Sequence, residues 1–161
     1  MPKDWCGERF QRLLQKPYYI LPTQSSDSYT SGTYGKYLFL PYSQGIIVPE
    51  EESSDETVTG DITYDVFLST SDSSFAKQDV SNAQDFSQGE NDVNGPFALG
   101  VEAVKTLDDG DATLVVYGCE QLFTDDADSV VSGANLTLFT NTFSGMADHE
   151  TSVSIPVKSY E

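Results

Sequence analysis

The thiol in Tyr117-Gly118-Cys119-Glu120 is the group in this sequence best placed for covalent chemistry. The stretch reads as a strand running into a turn and a short helix. At such a helix start, free backbone N–H groups favour the thiolate and lower the thiol pKa. A nucleophile also needs a base. The single His, His149, falls in a polar linker beside Glu150. Gln121 occupies the place where a sharply bent nucleophile elbow carries Gly. A half-buried structural thiol is therefore the preferred reading of Cys119, and no catalytic residue is assigned. A Cys-dependent amidotransferase-like hydrolase is the least favoured alternative, because it lacks a base.

Metal and cofactor chemistry find less support. One His and two widely separated cysteines, Cys6 and Cys119, cannot form a zinc tetrad or a disulfide framework, although one bridge between them is conceivable. Asp108-Asp109-Gly110-Asp111 resembles half of a calcium loop without its closing Glu. Asp125, Asp126 and Asp128 could gather a hard cation adventitiously, but they read first as a solvated acidic run. Gly110, Gly118 and Gly133 are isolated, so no phosphate-cradling loop is present. No metal ligand and no cofactor-binding residue is assigned. Asn135-Leu136-Thr137 fits a glycosylation acceptor, yet Asn135 also precedes a helical pattern and would serve there as an N-cap. The cap is preferred. Tyr18, Tyr19, Tyr29, Tyr34 and Tyr42 could offer ring faces to a sugar, which keeps a carbohydrate- or polymer-binding module as the second functional reading.

The elements that would position these groups follow from periodicity and turn chemistry. Residues 1–16 form a polar N-terminal extension, helical from Arg9 until Pro17 ends it. Residues 17–161 form a single domain. Strands are expected at Tyr18–Leu21, at Lys36–Pro41 with a loose continuation through Ile46–Val48, at Ile62–Thr70, Pro96–Thr106, Ala112–Tyr117 and Ser152–Val157. Asp108-Asp109-Gly110 makes a tight hairpin turn. The nearly all-apolar Ala112–Tyr117 reads as a central strand covered on both faces. A helical turn is expected at Ser73–Lys77 and a short helix at Glu120–Asp126. After Asn135 a longer helix sets Leu136, Phe139, Phe143 and Met146 on one apolar face. Thr23–Gly35 reads as an exposed loop, 49–60 as a flexible acidic loop, and Asp79–Asn94 as a surface excursion. Interleaved strands and helices predict an α/β fold: a three-layer α/β/α domain with a mixed, mostly parallel sheet and one antiparallel hairpin.

Charge narrows the partners. Eight Lys and Arg against 26 Asp and Glu leave a net charge of −18. Such a surface repels nucleic acid and anionic headgroups. No apolar run is long enough to span a bilayer, and the first residues lack the apolar core of a signal peptide. The chain is thus expected to be cytosolic or the soluble piece of something longer.

An ordered series of segments adds a resemblance. Tyr18-Tyr19-Ile20-Leu21-Pro22, Leu40-Pro41-Tyr42-Ser43-Gln44-Gly45-Ile46 and Leu68-Ser69-Thr70-Ser71-Asp72 come first. Gly95-Pro96-Phe97-Ala98-Leu99, Thr113 to Gly118 and Gln121 to Asp126 follow, then Val131 to Asn135, Phe139, Asn141 and Ser154 to Ser159. The series resembles the C-terminal part of the extracytoplasmic domain in Gldg-type auxiliary proteins of uncharacterised ABC transport systems. It covers the chain from about residue 17. The resemblance implies a glutamine-amidotransferase-like α/β fold without catalytic residues, with a small residue in the family at the place of Cys119. It also implies a gliding-motility-like accessory role in partner or ligand binding, beside an ABC permease and ATPase on the extracytoplasmic face of the membrane. In the family a membrane helix follows the Lys-Ser segment and further strands precede the Tyr-Tyr-Ile-Leu-Pro segment. A partial domain is therefore implied, with an exposed sheet edge that would invite pairing, a second copy of the chain included.

Overall fold

Hairpins rather than crossovers organise this chain. A computed structural model describes residues 16–49, 62–78, 87–108 and 110–147. The strands are β1 (Tyr19–Ile20), β2 (Thr23–Gln24), β3 (Leu40–Pro41), β4 (Ile62–Ser69), β5 (Phe75–Ala76), β6 (Val93–Asn94), β7 (Ala98–Leu107) and β8 (Gly110–Tyr117). The helices are α1 (Asp125–Val130) and α2 (Ala134–Met146). The main sheet runs β2-β4-β7-β8, and β1-β3 and β5-β6 form separate ribbons. Every strand pairing among the described residues is antiparallel.

This overturns the expected three-layer α/β/α domain with its mostly parallel sheet, and with it the glutamine-amidotransferase-like fold. Parallel neighbours need a crossover between them, usually a helix. Both described helices instead follow the last strand of the sheet, so neither can serve as one. The hairpin at the centre is as expected. Gly110 closes it with φ 135°, and the register runs unbroken from Leu107↔Gly110 to Gly100↔Tyr117.

Several local readings change as well. β8 is an edge strand, not a central one, because the chain leaves it for the helices and adds no further strand on that side among the described residues. Ser73–Lys77 is extended rather than helical: Phe75 pairs with Asn94 and Ala76 with Val93, and Lys77 Nζ meets Asp92 at 3.1 Å. Thr23–Gly35 is no exposed loop, since Tyr29, Thr30 and Thr33 are buried within it. They can be buried because they are bonded locally. Thr30 Oγ1 accepts from Asp27 N and donates to Ser25 O, while Thr33 Oγ1 donates to Thr30 O.

The core joins Leu38, Leu40, Phe67, Leu68, Leu99, Leu122 and Leu138, with Tyr29, Cys119 and Ala134 packed among them. α2 enters this core by an unexpected face. Leu136, Phe143 and Met146 point to solvent, and the buried positions are Ala134, Asn135, Leu138 and Thr142. Small and hydrogen-bonding side chains let the helix lie close to the sheet, where Tyr117 Oη and Thr142 Oγ1 share a hydrogen at 2.5 Å. Asn135 is not the N-cap; Gly133 holds that place with φ 87°. The expected helix from Arg9, the acidic loop, residues 79–86 of the surface excursion and the strand at Ser152–Val157 lie outside the described residues, apart from Lys16 and Pro49 at their margins.

Candidate functional site

A cluster of tyrosines forms where β1 meets the chain leaving β3. Tyr19 pairs with Pro41 and Ile20 with Leu40, and Tyr42 N donates to Tyr18 O at 2.8 Å. Tyr42 turns the chain with a left-handed φ of 55°. That conformation costs a non-glycine residue energy and is often kept where a side chain must be aimed. Here it stacks the Tyr42 ring on Tyr18, with centroids 4.8 Å apart and planes 9° from parallel. Tyr19 stands edge-on to both rings and to Phe39.

Of these rings Tyr19, Tyr42 and Phe39 line a hollow of about 600 Å³, and Tyr18 is not part of its lining. Pro41, Ala127 and Val130 complete its apolar lining, and Gln121, Thr124 and Asp126 supply polar groups. α1 is set there by Thr124, whose Oγ1 accepts from Ala127 N at 3.4 Å as an N-cap. The acidic run Asp125, Asp126 and Asp128 thus occupies the first turn of a helix, where carboxylates meet the positive end of the helix dipole. Asp128 Oδ1 also accepts from Leu136 N at 2.9 Å. Of the tyrosines singled out in the sequence, the structure gathers Tyr18, Tyr19 and Tyr42. Tyr29 is buried against Phe67, and Tyr34 is exposed and lines no part of the hollow.

Cys119 adjoins Pro41 of that lining. It is a free, buried thiol whose Sγ donates to Pro41 O at 3.1 Å. Burial pushes its pKa up, against weaker opposing hydrogen bonds from the turn that follows. That direction disfavours the nucleophilic thiolate. His149, Glu150 and Cys6 lie outside the described residues, as does Asp109 of the half-calcium motif; Asp108 and Asp111 are exposed. Among the described residues no group of three or more His, Cys, Asp or Glu side chains is arranged to hold a metal ion. Asn135 is fully buried, which leaves no room for a glycan.

A second cluster escaped the sequence reading. Asp65 and Glu102 stand directly opposite each other on β4 and β7, and Asp27 reaches Asp65 from the preceding loop. Hydrogen bonding to Asp27 holds the Asp65 carboxyl above its usual range, helped by partial burial and the charges of Asp27 and Glu102. Partial burial pushes Asp27 upward, but bonds from Asp65, Tyr29 N–H and Ser28 outweigh it and leave Asp27 low. One carboxyl is thus raised and its neighbour lowered, as expected of two acids placed side by side. Tyr29 Oη donates to Glu102 Oε1, and its own ionisation is pushed well up by burial and that carboxylate. Strand register sets Asp65 opposite Glu102 and the loop after β2 brings Asp27 to them; the three share no motif or spacing.

No family model, no curated protein and no solved structure matches the chain.

Proposed function

We propose that the chain is a non-catalytic binding module whose ligand contact is the tyrosine-walled hollow, acting as an accessory part of an ABC-type transport system on the extracytoplasmic face of the membrane. The observation that carries the binding reading is the Tyr42 ring, stacked on Tyr18 at a left-handed backbone turn and lining one hollow together with Gln121, Thr124 and Asp126. Preformed concavities that mix apolar walls with a few convergent polar groups are the usual form of a ligand site. The buried thiol and its raised pKa support a role without covalent catalysis. The transport setting rests on the ordered sequence series alone. Among the described residues no helix is long and apolar enough to cross a membrane.

A titration of the purified chain against the reconstituted permease–ATPase complex tests this. Binding weakened about tenfold or more in Tyr42→Ala, with unchanged circular dichroism, is expected. Equal binding by both chains would overturn the assignment of the hollow. Amide hydrolysis that disappears in Cys119→Ala would overturn the non-catalytic reading. A second reading, a carbohydrate- or polymer-binding module, is favoured by one feature. Tyr42 is 56% exposed and lines the hollow with Gln121, Thr124 and Asp126, so an aromatic ring and polar partners for hydroxyl groups share one hollow. Saturation by neutral oligosaccharides, lost in Tyr42→Ala, would select that reading over a protein partner.

A further inference from the structure

The two edges of the main sheet differ. One edge is β2, two residues long, and very short edge strands resist pairing with another chain. The other edge is β8, eight residues long, with neither Lys nor Pro in it and with no irregularity in its register against β7. Natural sheets guard exposed edges with just those devices, and β8 lacks them. Gly118 N donates to Leu99 O, which by alternation turns the even-numbered residues of β8 toward β7. The N–H and C=O groups of Asp111, Thr113, Val115 and Tyr117 therefore face an edge that no other strand among the described residues occupies.

The side chains are equally open. Tyr64↔Ala103↔Leu114 and Val66↔Val101↔Val116 are rows of directly opposed residues, so they share one face of the sheet. On β8 that face is exposed: Leu114 is 59% and Val116 39% accessible. We propose that β8 is the homodimer interface of this protein, pairing antiparallel with β8 of a second copy to make one continuous eight-stranded sheet.

The occupant and the register follow from charge and pleat. Self-pairing of a chain with net charge −18 needs a contact poor in charge. Asp111 is the only charged residue in β8. A two-fold axis through Leu114 sets Leu114 opposite the partner's Leu114 and Ala112 opposite the partner's Val116. In that register Asp111 meets the partner's Tyr117, and the two Asp111 side chains stay at opposite ends. Thr113 and the partner's Val115 then exchange backbone hydrogen bonds, using the groups that face outward. A shift by one residue would turn the apolar face of one copy against the other face of its partner, so the pleat excludes it. This inference is independent of the tyrosine hollow, which lies on other elements.

Light scattering behind size-exclusion chromatography, at two widely separated concentrations, is the first test. The expected result is a dimer for the native chain. Leu114→Glu, which sets like charges opposite each other at the axis, should weaken it at least about tenfold with circular dichroism unchanged. Cross-linking reads the register. Opposed residues that do not share hydrogen bonds lie about 4.5 Å apart at Cα, within reach of a disulfide. In a Cys6→Ser background, Leu114→Cys should oxidise to a covalent dimer, while Ala112→Cys should not. A folded native chain that stays monomeric at the higher concentration would overturn the proposal. So would a dimer that Leu114→Glu leaves intact, or one in which Ala112→Cys cross-links as readily as Leu114→Cys.

Discussion

The amide of Asn135 ties together segments far apart in sequence. Its Oδ1 accepts from Phe39 N at 3.1 Å, and its Nδ2 donates to Phe39 O at 2.9 Å and to Leu122 O at 2.8 Å. All of this is buried, where water cannot replace a missing partner. Asn135→Ala is expected to lower unfolding free energy by about 3 kcal/mol, because three main-chain groups lose their partner. The midpoint of urea unfolding measures it, and a shift under about 0.5 kcal/mol would show that the site relaxes or admits water. In the sequence Asn135 was legible as a hydrogen-bonding residue at a helix start. Which groups it serves depends on Phe39, 96 positions earlier, and that contact exists only once the helix docks.

Among the elements, the junction after β8 is the tightest. A Cβ built on Gly118 would sit 2.1 Å from Gln44 O, a backbone atom that no side-chain rotation can move. The close approach is used: Gln44 N donates to Gly118 O at 2.6 Å, which pins the chain leaving β3 against the end of the sheet. Gly118→Ala should therefore cost about 2 kcal/mol or more, as overpacking with loss of a bond. Thermal melting would show it, and a melting temperature equal to the native one would mean that the 44–46 segment is free to shift. The same junction shows what an element-level reading can miss. In the sequence Gly118 is an isolated Gly without a role, since nothing local distinguishes a Gly needed for a distant backbone from one in an ordinary turn. The helical period after Asn135 was legible too, but not the side of α2 that packs. Hydrophobicity alone selects Leu136, Phe139, Phe143 and Met146. The docked face instead uses Thr142 toward Tyr117 and Asn135 toward Phe39.

Acid dominates the molecule as a whole, and its stability against pH follows from how the carboxyls are paired. Asp65 titrates above its unfolded value, so its contribution is full below the ordinary carboxyl pKa and is lost as pH rises through the folded value. Asp27 is lowered, so its contribution is present above the unfolded value and is lost as pH falls through the folded one. Toward neutrality Asp65's contribution is lost and Asp27's remains. Asp65→Asn supplies a permanent donor to Asp27 and removes one charge from the excess of −18. It should raise the melting temperature at neutral pH, with the gain shrinking as pH falls below about 4. A gain that is the same at both pH values would show that the Asp65 carboxyl does not titrate above its ordinary range.

Composition, periodicity and turn residues by themselves determined the charge, the β7–β8 hairpin with its Gly110 turn, a strand over Ile62–Thr70 and a helix read as starting after Asn135, since each of these is set within a few residues of chain. The β8 run reads as a strand for the same reason, but its place at the sheet edge does not, because an apolar strand looks alike in the middle and at the rim. The direction of strand pairing was decided only in three dimensions, where the helices come after the sheet rather than between its strands. The stacking of Tyr42 on Tyr18 and the meeting of Asp27, Asp65 and Glu102 depend likewise on register and on a left-handed turn. Such long-range geometry is fixed when separate segments compete for one core, and no local pattern carries it.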